Sequence, residues 1–120
     1  MKQRVALARA LAMRPSLLLM DEPFAALDTF NRYHLQDELL RIQQSERVAI
    51  VLVTHDIDEA IYLSDRVLMM SASPGRIVRE LAIKMGRPRD RGHGEFQHYR
   101  KTILEQYRLS HIGTVEEFSI

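Results

Sequence analysis

The chain has 120 residues, of which 46% are hydrophobic and 28% are charged, a composition typical of a globular domain and not of a disordered chain. Its formal net charge is +1, so no overall field favours binding to nucleic acid. The absence of cysteine excludes disulfides and thiolate metal sites. No apolar run approaches the roughly 20 residues that are needed to span a bilayer.

The first half of the chain alternates between helical and extended patterns. Apolar residues at helical spacing predict a helix over 2–13, which ends before Pro15. The short apolar run 16–20 predicts a strand that is buried on both faces, and Pro23 ends it because proline cannot donate to a strand ladder. A second amphipathic pattern predicts a helix over 29–45.

Three further elements follow in the middle of the chain. A run of β-branched residues predicts a second buried strand over 47–54. Asp56 is predicted to cap the helix that begins after it. Segments 66–71 and 76–83 predict two strands, and the Ser-Pro-Gly turn 73–75 between them predicts an antiparallel hairpin.

The C-terminal part changes character at residue 84. Segment 84–94 is rich in glycine and basic residues, which predicts a flexible basic linker. Its basic residues are Lys84, Arg87, Arg89 and Arg91. Because no aromatic residues interleave with them to stack bases, we expect a solvated loop and not a nucleic-acid or lipid-headgroup site. A helix is predicted over 95–108, as part of a helical tail 95–120.

The order of elements predicts an α/β fold, a partial parallel sheet with flanking helices followed by an antiparallel hairpin and a final helix. Parallel α/β sheets bind ligands beyond the carboxyl ends of their strands. Asp21 and Glu22 follow the first predicted strand, and His55 follows the second. We therefore expect these three side chains to meet at one edge of the sheet.

The residue types at this edge suit phosphoryl transfer. Two adjacent carboxylates repel each other unless a cation neutralises one of them, and Mg²⁺ accepts oxygen ligands while it keeps bound waters. Asp21 would hold the ion directly or through water. Glu22 would activate an attacking water as general base, and His55 would donate a hydrogen bond to a phosphate oxygen. A phosphate cradle is the part that this set lacks.

Several segments resemble the ATP-binding-cassette (ABC) ATPases. LLLMDEP (17–23) resembles their Walker B segment, AALD (25–28) resembles the D-loop that follows it, and VTHD (53–56) resembles the end of the strand that carries the switch histidine. MKQRVALARAL (1–11) resembles the helix after the signature sequence LSGGQ. The segment 71–91, SASPGRIVRELAIKMGRPRDR, is similar to importer ATPases for nitrate, sulfonate, taurine or related solutes.

The resemblance implies a P-loop NTPase-type fold, with ATP and Mg²⁺ as ligands, in which Glu22 and His55 are catalytic and Asp21 binds the metal. It also implies that Asp28 contacts the opposing subunit across the nucleotide, although Asp28 could serve only as a helix cap. For Gln3 and Arg4 it implies a supporting role in nucleotide binding next to the signature segment, although both could be plain solvated residues.

The family's phosphate-binding loop, G-x-x-x-x-G-K-[ST], does not occur in this sequence, nor do its Q-loop and LSGG. The resemblance therefore implies that 1–83 is the C-terminal portion of a nucleotide-binding domain, and that this chain alone is inactive. The whole protein is expected to work at the cytoplasmic face of the membrane as a head-to-tail dimer with a second copy. It would serve an integral-membrane permease and, indirectly, a periplasmic solute-binding protein.

Two alternatives stay open at this point. The chain could be a non-catalytic interaction module, a remnant that binds a permease or a regulator. ATPases of DNA repair or chromosome structure share the Walker B segment and the D-loop, but the lack of a long heptad segment argues against them. A chain that lacks part of its sheet should expose strand edges or apolar surface, and we expect it to self-associate.

Overall fold

The computed structural model describes residues 9–10, 12–72, 75–109 and 115–119. The chain divides into two compact units, Met1–Val51 and Leu52–Ile120. Residues 9, 10 and 12 are helical, as predicted. The remaining positions of that predicted helix, 2–8 and 11, lie outside the described residues.

After the helical residues 9, 10 and 12, the described part of the first unit continues with a strand, a helix and the beginning of a second strand. Strand β1 (Leu17–Asp21) precedes helix α1 (Thr29–Glu46), and strand β2 (Ala49–Thr54) begins three residues after the helix ends. β1 and β2 are parallel, and the amide of Ala49 donates a 3.1 Å hydrogen bond to the carbonyl oxygen of Ser16 where the two strands begin. The predicted α/β class, both strands and the helix between them are confirmed.

Helix α1 forms because its sequence supplies both a buried stripe and defined ends. Leu35 and Leu39, four positions apart on one face, are 2% and 3% exposed. Asp28 caps its first turn. The helix ends at Arg47, whose backbone enters the left-handed region at φ 52° while its amide donates to the carbonyl oxygen of Gln43.

One prediction about β1 is wrong. The apolar run predicted a strand buried on both faces, yet Leu17 is 51% exposed and Leu19 is 71% exposed. Alternate residues of the strand are more buried, so one face is covered and the other is not. Burial on both faces needs a packed layer on each side, and the described residues supply one to β1. The expected exposure of apolar surface is confirmed at these two leucines.

The second unit contains the end of β2 and the remaining elements. These are α2 (Ile57–Leu63), β3 (Arg66–Ala72), β4 (Gly75–Ala82), α3 (Gly94–Leu109) and β5 (Val115–Ser119). β3 and β4 form the predicted antiparallel hairpin, and β5 lies between β2 and β3, antiparallel to both. In the described part of the chain, no helix has the length and apolar content needed to cross a membrane.

Strand β5 corrects the predicted helical tail. The tail is helical over Gly94–Leu109, but Val115–Ser119 forms a strand. Its partners are distant in sequence, since Ser119 pairs with both Leu52 and Val67. A five-residue strand whose hydrogen bonds are all long-range has little local pattern by which it can be predicted.

The core of the second unit lies where α2 packs against α3 and β5. Ala60 and Ile61 of α2 are fully buried, and so are Phe96 and Ile103 of α3. Phe96 and Ile103 are seven positions apart, so they lie on one side of this helix. That side is therefore a packing face, as expected for an amphipathic helix.

The prediction of a solvated basic loop is wrong for two arginines of segment 84–94, Arg87 and Arg89. Arg89 is 4% exposed, and Arg87 has a side chain that is 23% exposed. Both guanidinium groups donate to main-chain oxygens at the end of α2. Because main-chain oxygens accept hydrogen bonds from both guanidinium groups, these two arginines pack within the second unit and do not extend into water.

Candidate functional site

The two adjacent acids lie where β1 ends. Asp21 is the last residue of the strand and is exposed, and Glu22 follows at φ 47°, in the left-handed region. For a residue with a side chain, this conformation costs roughly 1–2 kcal/mol. The carbonyl oxygen of Glu22 accepts from the amide of Ala25 at 3.3 Å, so the chain turns directly after the acids.

Packing around this turn offsets the strain at Glu22. Phe24 is 3% exposed and is anchored in the core. The guanidinium of Arg32, one turn into α1, donates a 3.0 Å hydrogen bond to the carbonyl oxygen of Leu27. A strained residue persists where its surroundings fix it, and such residues are concentrated at functional sites. Glu22 meets that description, whereas the left-handed Arg47 only ends a helix.

Asp28 is the N-cap of α1. One carboxylate oxygen accepts from the amide of Asn31 at 2.9 Å, and the other accepts from the side-chain amide of Asn31 at 3.2 Å. The interpretation of Asp28 as a helix cap is confirmed. Its carboxylate is exposed at the start of the helix, so a further contact with a second subunit stays a prediction.

His55 lies between the end of a buried strand and the fixed start of a helix. Thr54, the last residue of β2, is fully buried, and its hydroxyl accepts from the amide of Asp56 at 3.0 Å. Asp56 in turn caps α2 by accepting from the amide of Glu59 at 3.1 Å, as predicted. The imidazole of His55 is exposed between these two anchored neighbours.

The predicted site residues belong to different units of the chain. Asp21 and Glu22 belong to the first unit and His55 belongs to the second, so their approach to one another stays a prediction. Gln3 and Arg4 lie outside the described residues.

Among the described residues, Asp21 offers one exposed carboxylate to the predicted Mg²⁺. The described residues contain no group of three or more histidines or acids that could hold a metal ion. Mg²⁺ is commonly bound by one or two carboxylates, with the rest of its shell supplied by phosphates and waters. The exposed carboxylate of Asp21 fits that kind of site, because it leaves room for such ligands.

The structure also adds residues that the sequence did not identify. Arg32 fixes the turn after the acids, and Thr54 fixes the residue after His55. Arg89 and Arg87 bond to the end of α2. Their acceptors are mostly main-chain oxygens, and every residue has one, so the sequence contains no signal that pairs these side chains with their partners.

Comparison with known proteins gives a consistent group of relatives. No family model matches the chain. The chain is 51% identical over 107 residues to an aliphatic sulfonates import ATP-binding protein, SsuB, of Bacillus cereus. The aligned region covers 89% of this chain and 43% of that protein. It is 57% identical over 104 residues to an uncharacterized ABC transporter ATP-binding protein of Methanocaldococcus jannaschii. That alignment covers 87% of this chain and 39% of the relative.

A third relative serves a different solute. The nitrate transport protein NasD of Klebsiella oxytoca is 53% identical over 109 residues, with 87% of this chain and 42% of that protein covered. The chain thus spans less than half the length of these three relatives.

Proposed function

Because the chain is homologous over most of its length to ATP-binding proteins of ABC transporters and belongs to that family, we propose that it forms part of the nucleotide-binding domain of an importer ATPase. The observation that carries this proposal is the pair Asp21–Glu22 at the end of β1, in a chain about half identical to such proteins. Two relatives are named for sulfonates and nitrate, which supports a small oxyanion as the class of solute.

The pairing of β1 with β2 supports a shared site for the three candidate residues. The strands are parallel, so their carboxyl ends point in the same direction along the sheet. Asp21 and Glu22 follow one of these ends, and His55 follows the other. In the proposal they face one nucleotide, which the phosphate-binding loop of the complete domain would hold.

Each residue then has a distinct task. Asp21 would hold Mg²⁺, directly or through water, and the bound ion would supply neutralisation of phosphate charge. Glu22 would accept a proton from the water that attacks the terminal phosphate. His55 would donate a hydrogen bond to an oxygen of the transferred group, where negative charge is held in the transition state. The fixed turn around Glu22 would orient its carboxylate, since positioning contributes much of phosphoryl-transfer catalysis.

The remaining expected partners belong to the same proposal. Two copies would enclose ATP head to tail, with the exposed Asp28 available to the second copy. Gln3 and Arg4 would support the adjacent signature segment. The dimer would act at the cytoplasmic face of the membrane on a permease that receives solute from a periplasmic binding protein.

A single substitution tests the proposed chemistry. The 120-residue chain is joined at Met1 to the preceding part of an ATPase of this family that contains the phosphate-binding loop G-x-x-x-x-G-K-[ST]. Glu22→Gln should then lower the rate of ATP hydrolysis by about 10²- to 10⁴-fold while ATP binding is retained. Glu80→Gln is the matched control, because Glu80 is a half-exposed partner of Arg66 on the hairpin. Unchanged hydrolysis in the Glu22→Gln protein would refute the general-base role.

The same preparation separates the enzyme from a non-catalytic interaction module. The joined chain is expected to bind ATP, whereas the 120-residue chain alone is expected to show no useful affinity because it lacks the phosphate cradle. An isothermal titration that finds micromolar ATP affinity for the chain alone would contradict this reading. Failure of a well-folded joined chain to bind ATP would favour the interaction module.

A further inference from the structure

Helix α2 is too short to be stable without contacts to the rest of the fold. It has seven residues, whereas isolated helices shorter than about 12 residues are marginal in water. The helix begins directly after its N-cap, Asp56, and His55 immediately precedes that cap. The position of this helix, and of the residue before its cap, therefore depends on the groups that pack against it.

The C-terminal end of α2 is bonded to two arginines. The guanidinium of Arg89 donates to the carbonyl oxygens of Ile61 at 2.5 Å and Ser64 at 2.6 Å. Arg87 donates to the carbonyl oxygen of Leu63 at 2.7 Å and pairs with the carboxylate of Asp65 at 3.0 Å. The last carbonyls of a helix have no partner within it and carry partial negative charge, so cationic donors suit this end.

Arg89 is unusual because it is a charged side chain with 4% exposure. Burial lowers the pKa of Arg89 to about 10, and the neighbouring charge of Arg87 acts in the same direction. The group is still protonated near neutral pH. A buried cation is retained where its hydrogen bonds are made, and Arg89 also donates to the carbonyl oxygen of Met85 at 3.2 Å.

The N-terminal turn of α2 is bonded to the last helix. Arg100 of α3 donates a 2.7 Å hydrogen bond to the carboxylate of Asp58. This bond raises the pKa of Arg100. Next to Asp58, Asp56 ties the helix to the end of β2 through the buried hydroxyl of Thr54. Arginines of the C-terminal segment thus contact both ends of the helix that His55 precedes.

We propose that Arg89 and Arg100 are positioning residues for His55: by bonding to the two ends of α2, they fix the helix start and hence the place of the imidazole. This inference rests on the proposed function of His55. Residues 84–109 are, in this account, part of the catalytic unit and not a separate linker and tail. Their removal would displace His55 without touching the nucleotide.

The test is a double-mutant cycle in the joined chain described above. Arg100→Gln and Arg89→Met are each made alone and together with His55→Ala, and both turnover and ATP affinity are measured. Each arginine variant should lower turnover by about 10- to 10²-fold with ATP affinity unchanged, since a displaced catalytic group reduces rate more than binding. In the His55→Ala background, the same substitutions should cause no further loss.

Controls separate positioning from folding. Arg66→Gln removes an arginine from a half-exposed ion pair on the hairpin, and it should leave turnover unchanged. Arg89→Lys keeps the cation and should restore part of the turnover lost in Arg89→Met. If Arg89→Met does not fold by calorimetry, Arg100→Gln carries the test, because its side chain is 28% exposed.

The outcomes distinguish the two proposals. Equal losses from the arginine substitutions in the parent and in the His55→Ala protein would overturn the positioning role and leave the proposed function intact. Unchanged turnover in Arg100→Gln and in folded Arg89→Met would do the same. Unchanged turnover in His55→Ala itself would overturn the proposed catalytic role of His55 and, with it, the positioning role of the arginines.

Discussion

The carboxylate of Asp28 accepts a 2.9 Å hydrogen bond from the backbone amide of Asn31, which lies three residues further along the chain. This contact starts helix α1 and places Asp28 at an exposed helix terminus. The same acid is expected to face a second subunit. The two roles are separable by experiment, because one depends on a hydrogen-bond acceptor and the other on charge.

Replacement of Asp28 tests the cap. Asp28→Ala should lower the free energy of unfolding by about 1 kcal/mol, since it removes the acceptor for the amide of Asn31. Asp28→Asn keeps an acceptor and should lose much less. Urea unfolding of the 120-residue chain measures both variants. Equal losses in the two variants would show that charge, and not the cap, accounts for the effect.

The packing face of α3 gives a second stability prediction. Phe96 is fully buried, and Phe96→Ala should lower the free energy of unfolding by about 3–5 kcal/mol through lost burial and the cavity that remains. Leu104, on the same helix, is 45% exposed, and Leu104→Ala should change stability by less than about 1 kcal/mol. Similar losses at both positions would contradict the assigned packing face.

The exposed face of β1 predicts self-association. Leu19 is 71% exposed and Leu17 is 51% exposed, and apolar surface on a strand favours association. Light scattering of the chain at several concentrations should show growth of larger species. Leu19→Lys should reduce it, while Leu52→Lys, at a buried position, should unfold the chain instead. A clean monomer of the parent chain at every concentration would contradict the prediction.

Local signals in the sequence were sufficient for most elements and for both helix caps. Asp28 and Asp56 bond to amides three residues away, so a short window of sequence contains donor and acceptor together. The apolar runs likewise identified β1 and β2. The apolar runs could not show which faces of these strands are buried, because the elements that pack on those faces come from other parts of the fold.

Long-range contacts were not predictable in the same way. Strand β5 depends on partners such as Leu52 and Val67, far away along the chain. Arg89 was recognised as basic, but its acceptors are the main-chain oxygens of Ile61 and Ser64. No residue type marks such an acceptor, so the sequence suggested a solvated loop where the structure has a buried cation.

The central claim is that Glu22 and His55 lie together at one nucleotide. The 120-residue chain contains no cysteine, so single cysteines at positions 22 and 55 can each carry one spin label in the joined chain once any cysteine of the added part is replaced. Electron paramagnetic resonance of the doubly labelled protein should show strong dipolar broadening relative to the two singly labelled proteins. A doubly labelled spectrum equal to the sum of the single spectra would contradict the account.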